Sequence, residues 1–415
     1  MLKVLHFADA HIDIATYGKH DPITGLPVRV LDFLKALDTI VDTAISEKVD
    51  LVIFAGDAYK DRTPAPTFQR EWGRRMMRLS AAGIPTILLV GNHDLSPATG
   101  RAHTLQEFAT LAVPHIHIID KPVFLKPADL EGLPVQVLGL PWIFRSGLMA
   151  ALELSGEDPD QLNQQLENRI SDVLTQWLDQ LDPAIPAILT AHGSVQGAVY
   201  GNERAIMLGK DLILPGALVK DPRLDYVALG HIHKAQDVNL GNQPPVVYPG
   251  SIERVDFGEA NDDKFFVLAE IKKGKTTYEF RKLQGRRFVD RSVKIETGED
   301  LMEKVLAVLP PADQIKDSVF RLIVEYPRSL DAFLDEAAIR ARCIETFDFH
   351  LLRRPHEEAR LRLAADESIA SLSPLKMLDL YWDTINQHPN ESQALKELAA
   401  TIIETAESGI PPEEN

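Results

Sequence analysis

Five short apolar runs, each closing on Asp, Asn or His, constrain this chain more than any other feature. They are Leu2–Phe7 leading to Asp9 and His11, Leu51–Gly56 to Asp57, Thr86–Gly91 to Asn92, His93 and Asp94, Ala187–Ala191 to His192, and Tyr226–Gly230 to His231 and His233. Each run is strand-length, and several are rich in Val and Ile, which suits strands buried on both faces. Polar groups at the carboxyl ends of such strands gather on one rim of a sheet, where open α/β folds bind their ligands. The gathered atoms are carboxylate, amide and imidazole donors with no thiolate. The runs therefore predict a metal site.

Between them lie helical patterns at Phe33–Ile45, Pro66–Ala82 and Gln161–Leu181. Strand–helix alternation implies a layered α/β domain. Further strands at Val135–Leu140, Val246–Tyr248, Phe265–Ile271 and Thr276–Phe280 extend it, so a catalytic domain is expected over 1–282. An α+β capping domain is expected over 283–362, built from Ser292–Ile295, Asp300–Leu309, Val319–Tyr326, Leu330–Ala341 and Thr346–Leu351. The stretch Arg353-Arg-Pro-His is expected to break regular structure. Over 363–415 a helical tail is expected, with Leu375, Leu378, Trp382 and Ile385 on one face and Leu395, Leu398, Ile402 and Ala406 on another. These faces suit either a partner helix or the protein's own body.

Net charge decides how readily nucleic acid fits. The total is −17, and residues 366–415 hold ten Asp or Glu against two Lys, hence −8 of it. The remaining body is only about −9, and bound cations would offset part of that. Acidity argues against a nucleic-acid coat protein without excluding a DNA enzyme. No apolar stretch approaches the roughly 20 residues of a membrane span, and Asp9, His11 and Asp13 interrupt any secretory signal core. The single cysteine, Cys343, rules out an internal disulfide. A cytoplasmic location and no membrane partner are expected.

Asp9-x-His11 places two side chains on one side of a strand end, where both can grip one ion. Asp57 offers two oxygens and could bridge two ions, Asn92 offers an amide oxygen, and His192 and His231 offer imidazoles. Such a set favours Mn²⁺, Fe²⁺ or Zn²⁺ over Ca²⁺. Two ions about 3.5–4 Å apart generate a hydroxide and clamp both oxygens of an in-line phosphoryl displacement. His93 follows a ligand directly, and Asp94 is expected to orient its ring. The other histidines (His6, His20, His103, His115, His117, His350, His356 and His388) lack this context and read as ordinary.

With Asp9-x-His11, Gly56-Asp57, Gly91-Asn92-His93-Asp94, His192 and Gly230-His231-x-His233, the chain resembles the calcineurin-like metallophosphoesterase superfamily. The resemblance implies a four-layer α/β/β/α sandwich. It implies one metal on Asp9, His11, Asp57 and His233, and a second on Asp57, Asn92, His192 and His231. It also implies catalytic roles for His93 and Asp94, with His93 stabilising the transition state or protonating the leaving oxygen. Gly56-Asp57-Ala-Tyr59-Lys-Asp61-Arg62, Tyr248-Pro-Gly250-Ser251-Ile-Glu253-Arg254 and Asp256-Phe257-Gly-Glu259 narrow the resemblance to the DNA double-strand-break repair nuclease branch (SbcD type). That branch implies two Mn²⁺ ions and an exonuclease and endonuclease activity driven by a metal-bridging hydroxide. It also implies a homodimer, and C-terminal helices that dock an SMC-like coiled-coil ATPase of the SbcC type. The chain departs from the family at Ile12-Asp13, where Leu-Gly is usual; this alters the loop and spares both ligands.

Lys60, Arg62, Arg101 and Arg254 are the candidate DNA contacts. Arg70, Arg74, Arg75 and Arg78 lie nearby, and the competing reading for them is a solvated helix face. Two other functions are weighed: hydrolysis of a nucleotide, phosphoprotein or small phosphodiester, and a scaffolding role that joins DNA to an ATPase.

Overall fold

The computed structural model describes residues 1–95, 101–143, 159–201, 213–296, 300–356, 372–384 and 389–408. The chain divides into two compact units. One comprises Met1–Asp290, Pro310–Arg321 and Arg342–His350; the other comprises Arg291–Leu309, Leu322–Ala341 and Leu351–Asn415.

In the first unit, β1 (Leu2–Phe7), β2 (Leu51–Phe54), β3 (Thr86–Leu89) and β4 (Ile116–Ile119) are parallel neighbours. The first two crossovers are helices α1 (Val28–Ser46) and α2 (Pro66–Ala81). Helix α1 buries Val30, Phe33, Leu37, Ile40, Val41 and Ala44, the spacing of a single helical stripe. Helix α2 opens with Pro66, whose missing N–H costs nothing in the first turn.

A second sheet takes β5 (Val123–Leu125), β6 (Gln136–Leu140) and β7 (Ala187–His192). After a two-stranded ladder of β8 (Ser194–Val195) and β9 (Ile213–Leu214) it adds β10 (Tyr226–Gly230), β11 (Gln236–Asp237) and β12 (Val246–Tyr248). The chain then returns to the first sheet through β13 (Lys264–Lys272) and β14 (Lys275–Leu283), with β13 antiparallel to β1. The resulting orders are β14-β13-β1-β2-β3-β4 and β11-β12-β10-β7-β6-β5.

Residue alternation fixes the layering. Val4, Leu51, Ile53, Ile87 and Leu89 from one sheet share a core with Ile188, Tyr226, Ala228 and Val247 from the other. Their neighbours Leu5, Phe7, Val52, Phe54 and Leu88 point the opposite way, onto α1 and α2. Leu138, Leu189, Val227 and Leu229 likewise face Ile170, Leu174 and Leu178 of the helix Pro159–Asp179. Strands sandwiched this way must be apolar on both faces, which is why the runs are continuous rather than alternating. Truncating a side chain such as the fully buried Phe54 to Ala would cost about 3–5 kcal/mol. The four-layer α/β/β/α arrangement is the one expected, with the five runs divided between two sheets.

Farther along, β15 (Phe288–Lys294), β16 (Val319–Pro327) and β17 (Asp348–His356) form a three-stranded sheet with β16 central. The expected break at Arg353-Arg-Pro-His does not occur, because β17 runs through Pro355. An edge strand tolerates proline, since one side of it needs no donor. The helix expected over Leu330–Ala341 is instead a 3-10 turn, Arg328–Phe333, followed by a helix Glu336–Arg342. In the tail, helices Pro374–Thr384 and Pro389–Ser408 are joined by a Lys396–Asp379 ion pair of 2.5 Å. Ile385 and the expected boundary near residue 362 lie outside the described residues. No described helix is long and apolar enough to cross a membrane.

Candidate metal centre

All five runs deliver their terminal polar residues to one place. Asp9 and His11 follow β1, Asp57 follows β2 and Asn92 follows β3; His192 ends β7, and His231 and His233 follow β10. One sheet thus supplies most of the oxygen donors and the other most of the imidazoles. Two sets have every donor atom within 4.8 Å of the others: Asp9 with His11 and His233, and Asp9 with Asp57 and His192. Asn92 Oδ1 joins the second set, 3.0 Å from His192 Nε2 and 3.0 Å from His231 Nδ1. Asp57 Oδ2 lies between the sets, 3.9 Å from His11 Nε2 and 3.4 Å from His192 Nε2.

The backbone is bent to achieve this. Asp9, His11, Asp57 and His231 all have positive φ, at 50°, 40°, 65° and 98°. Each such non-glycine residue costs on the order of 1–3 kcal/mol and persists only where its surroundings over-determine it. Glycines admit the close approach. A Cβ at Gly91 would lie 2.2 Å from Asp57 Oδ1, and one at Gly56 would lie 2.2 Å from His192 Nδ1.

The rings are held from behind. His11 Nδ1 bonds the Tyr59 carbonyl at 3.2 Å, and His192 Nδ1 bonds the Ala55 carbonyl at 2.6 Å. His233 Nδ1 bonds Glu259 Oε1 at 2.6 Å, and Glu259 is itself paired with Lys264 at 2.6 Å. Burial alone would raise the Glu259 carboxyl, but His233 and Lys264 hold it well below the ordinary range. A carbonyl or carboxylate only accepts, so Nδ1 carries the proton and Nε2 keeps its lone pair when these rings are neutral. His11 Nε2 then faces His233 Nε2 at 3.1 Å, lone pair against lone pair, and His192 Nε2 faces the Asn92 oxygen in the same way. Such an arrangement is repulsive unless a cation is shared. This donor set fits divalent metal.

Without a metal, a proton takes the cation's place on His192 Nε2. Burial disfavours a charged His192, yet the neighbouring Asp57 and Asp9 outweigh it and raise the ring to about 9. The Asp57 carboxyl, opposed by burial, is held well below its usual value by His192, His93 and His11.

His93 stands beside the ligands, 5.2 Å from the His11 ring. Its amide donates to Asp57 Oδ1 at 2.8 Å, and its Nδ1 bonds the Lys60 carbonyl at 2.8 Å. The expectation that Asp94 orients this ring is corrected. Asp94 is fully buried and accepts from the amides of Asp57, Ala58 and Gly91 at 2.9–3.0 Å. Thr104 occupies its Oδ1 as well. Burial and the charge of Asp57 push Asp94 up to about 7. It knots together the loops that carry Asp57 and Asn92, and the ring partner of His93 is a backbone carbonyl.

His93 also lines a cleft of about 1050 Å³ with Asp13, Tyr17, Lys60, Asp61, Arg62, Phe68 and Asp256. Lys60 and Arg62 are exposed there, and Arg62 Nε donates to the Asn92 carbonyl at 3.3 Å. Arg101 is exposed but does not line that cleft. Arg254 is half-buried and donates to the carbonyls of Ala260 and Arg286, so it braces the protein's own loops. Glu253 beside it is fully buried and accepts the amides of Arg254 and Arg286. The arginines of α2 pair with acids: Arg70 and Arg74 with Glu71, Arg75 with Glu71 and Asp38, and Arg78 with Asp38 and Asp42. Arg70, Arg74 and Arg78 stay well exposed, in keeping with a solvated face, whereas the Arg75 side chain is only 12% exposed. Sequence reasoning missed Trp142, whose ring lies 4.9 Å from that of His231. It also missed the bracing role of Glu259, although that residue stands inside a segment already singled out.

Comparison with known proteins matches residues 2–235, more than half of the chain, to the calcineurin-like phosphoesterase family. The DNA double-strand break repair protein Mre11 of Archaeoglobus fulgidus is 26% identical over 390 residues, 91% of this chain and 80% of that protein. The D component of the nuclease SbcCD from Escherichia coli K12 is 27% identical over 283 residues, covering 66% of each chain. The corresponding component from Staphylococcus saprophyticus is 23% identical over 420 residues, covering 97% of this chain and 99% of its own. With the metal-type ligands converging at the strand ends and this match across the first 235 residues, the chain belongs to the calcineurin-like phosphoesterase family.

Proposed function

We propose that this protein is a metal-dependent DNA nuclease, exonucleolytic and endonucleolytic, acting as the nuclease subunit of an ATPase-coupled repair complex. The observation that carries the reading is the facing of His11 Nε2 and His233 Nε2, with the His192–Asn92 contact and His93 beside them. Asp9, His11, Asp57 and His233 would hold one divalent ion, proposed as Mn²⁺, and Asp57, Asn92, His192 and His231 a second. Bound there, the ions would supply Lewis acidity that lowers the pKa of water and draws charge off a phosphoryl group.

The protein's own residues do the rest. The Lys60 carbonyl keeps the proton of His93 on Nδ1, so Nε2 is the atom that exchanges a proton with the leaving sugar oxygen. Burial lowers the His93 pKa, which makes the imidazolium a readier donor. Lys60 and Arg62 in the cleft supply charge for backbone phosphates. DNA as substrate is further supported by the names of the relatives. Leu395, Leu398 and Ile402 are exposed on the helix Pro389–Ser408, and this face is proposed to receive the ATPase coiled coil. A homodimer, a cytoplasmic location and the three-part domain division at 282 and 362 complete the proposal.

The test is cleavage of linear duplex DNA with Mn²⁺. Replacing His93 with Ala should abolish cleavage while bound metal stays constant; full cleavage by that variant sinks the assigned role. One observation favours a second substrate class. Among the described residues, Asp13, Asp61 and Asp256 line the cleft against the cations Lys60 and Arg62, which suits a small phosphodiester better than a polyanion. Activity confined to a chromogenic diester would select that reading.

A further inference from the structure

Asp13 belongs to the departure from the family pattern, and its carboxylate does a specific job. Oδ1 accepts the Lys60 amide at 2.5 Å and Oδ2 accepts the Asp61 amide at 2.8 Å. The N–H of Asp61 and the C=O of Lys60 belong to one planar trans peptide group, so they point in opposite directions. A carboxylate pulling on that N–H therefore aims the carbonyl the other way, and there His93 Nδ1 meets it at 2.8 Å. With a single amide bond the 60–61 peptide could rotate; two amides on one carboxylate prevent it. The start of the same loop is tied independently, by Asp94 to the amides of Asp57 and Ala58. Loss of the Asp13 carboxylate thus frees this peptide without releasing the metal-bearing Asp57.

We propose that Asp13 is a positioning residue for His93, acting through the Lys60–Asp61 peptide to hold the ring as its Nδ1–H tautomer with Nε2 toward the cleft. Both of its carboxylate oxygens are committed to those two amides. A neutral imidazole divides its proton between two nitrogens unless a neighbour chooses, and here the chosen nitrogen is set by a carbonyl whose direction Asp13 dictates.

The activity arm of the test rests on the phosphodiesterase reading above; the spectroscopic arm does not. With histidine-selective ¹⁵N labelling of metal-free protein, His93 is identified by the signals that vanish in His93→Ala. In the wild type its ring should show a protonated Nδ1 and a bare Nε2. Asp13→Asn leaves at least one amide without an acceptor, and its His93 shifts should move toward the average of two tautomers. With Mn²⁺ and bis(p-nitrophenyl) phosphate, kcat should fall about tenfold to a hundredfold while KM and bound metal stay within about twofold. In the His93→Ala background the same change should have no further effect, and Asp13→Glu, which keeps both oxygens, should restore part of the loss.

Unchanged His93 shifts in Asp13→Asn overturn the proposal, as does an equal fold-loss in the His93→Ala background. Asp13→Ser, with a single acceptor, is read in the same way should the Asn variant fail to fold. If both unfold, Asp13 serves folding and the proposal falls. A wild type inactive on the diester refutes the functional reading alone, because the ring shifts still decide the role of Asp13.

Discussion

Two buried histidine environments lie close together in this fold and are built to opposite rules. His6, on β1, sits in the layer between the sheets, fully buried, with Nδ1 at 3.0 Å from the Tyr226 hydroxyl and Nε2 at 3.1 Å from the Leu229 carbonyl. Both nitrogens are satisfied: Nε2–H donates and Nδ1 accepts. At the strand ends, His11 is equally enclosed, yet it commits Nδ1 to the Tyr59 carbonyl and turns the lone pair of Nε2 onto Nε2 of His233. Burial does not separate a structural histidine from a functional one. Completion of its hydrogen bonds does.

The comparison breaks most visibly at Asp57, the carboxylate between the two ligand sets. Asp57→Asn should reduce turnover by a factor of about 10³ or more, because a neutral group no longer balances two cations. Metal analysis of the purified variant should show fewer bound ions; a full complement would contradict the shared-ligand role. Glu259→Gln acts one step back, removing the negative charge behind His233. It should weaken metal binding by about 10–100-fold, the usual cost of losing such a partner, and a titration of metal affinity reads it. Glu259 pairs with Lys264, so Lys264→Met in the same protein separates lost charge from lost packing.

His6 should behave in the reverse manner. His6→Leu leaves the Tyr226 hydroxyl and the Leu229 carbonyl without their partner and should cost about 1–3 kcal/mol of stability in denaturant unfolding. Metal content should not change; a loss of metal there would erase the distinction between the two environments. Acid sharpens it further. Burial lowers the His6 pKa to about 3, against an ordinary 6.5. The folded state prefers the neutral ring, so the stability is fully present above pH 6.5. It declines as pH falls toward 3, where the folded ring finally protonates. The slope attributable to this residue is about 1.4 kcal/mol per pH unit, and it should disappear in His6→Leu.

Much of the fold and most of the site were legible in the sequence, for an identifiable reason. Groups able to hold a metal are particular residue types, and strands buried on both faces must be apolar throughout, so the converging Asp9, His11, Asp57, Asn92, His192, His231 and His233 stood out against their own strands. What sequence could not show was carried by groups without an identity of their own. The partner of His93 is a backbone carbonyl, which every residue possesses, so the nearby Asp94 was the natural but incorrect choice. Trp142 is a lone aromatic whose place over His231 depends on tertiary packing. The passage of β17 through Pro355 depends on the strand being at an edge, a property of the sheet and not of the segment. Arg254 reads as a free cation until Ala260 and Arg286 are seen to receive its guanidinium.

The division of ligands between the sheets has a mechanical consequence. Asp9, Asp57 and Asn92 hang from one layer, and His192, His231 and His233 from the other, so an ion held by both acts as a cross-link through the middle of the sandwich. Unfolding must pull that link apart. Metal concentration and thermal stability are then one linked quantity, rising as RT ln(1 + [M]/Kd), or about 2.7 kcal/mol at a hundredfold excess over Kd. A chelator should lower the Tm of the wild type and leave that of a ligand-deficient variant where it was.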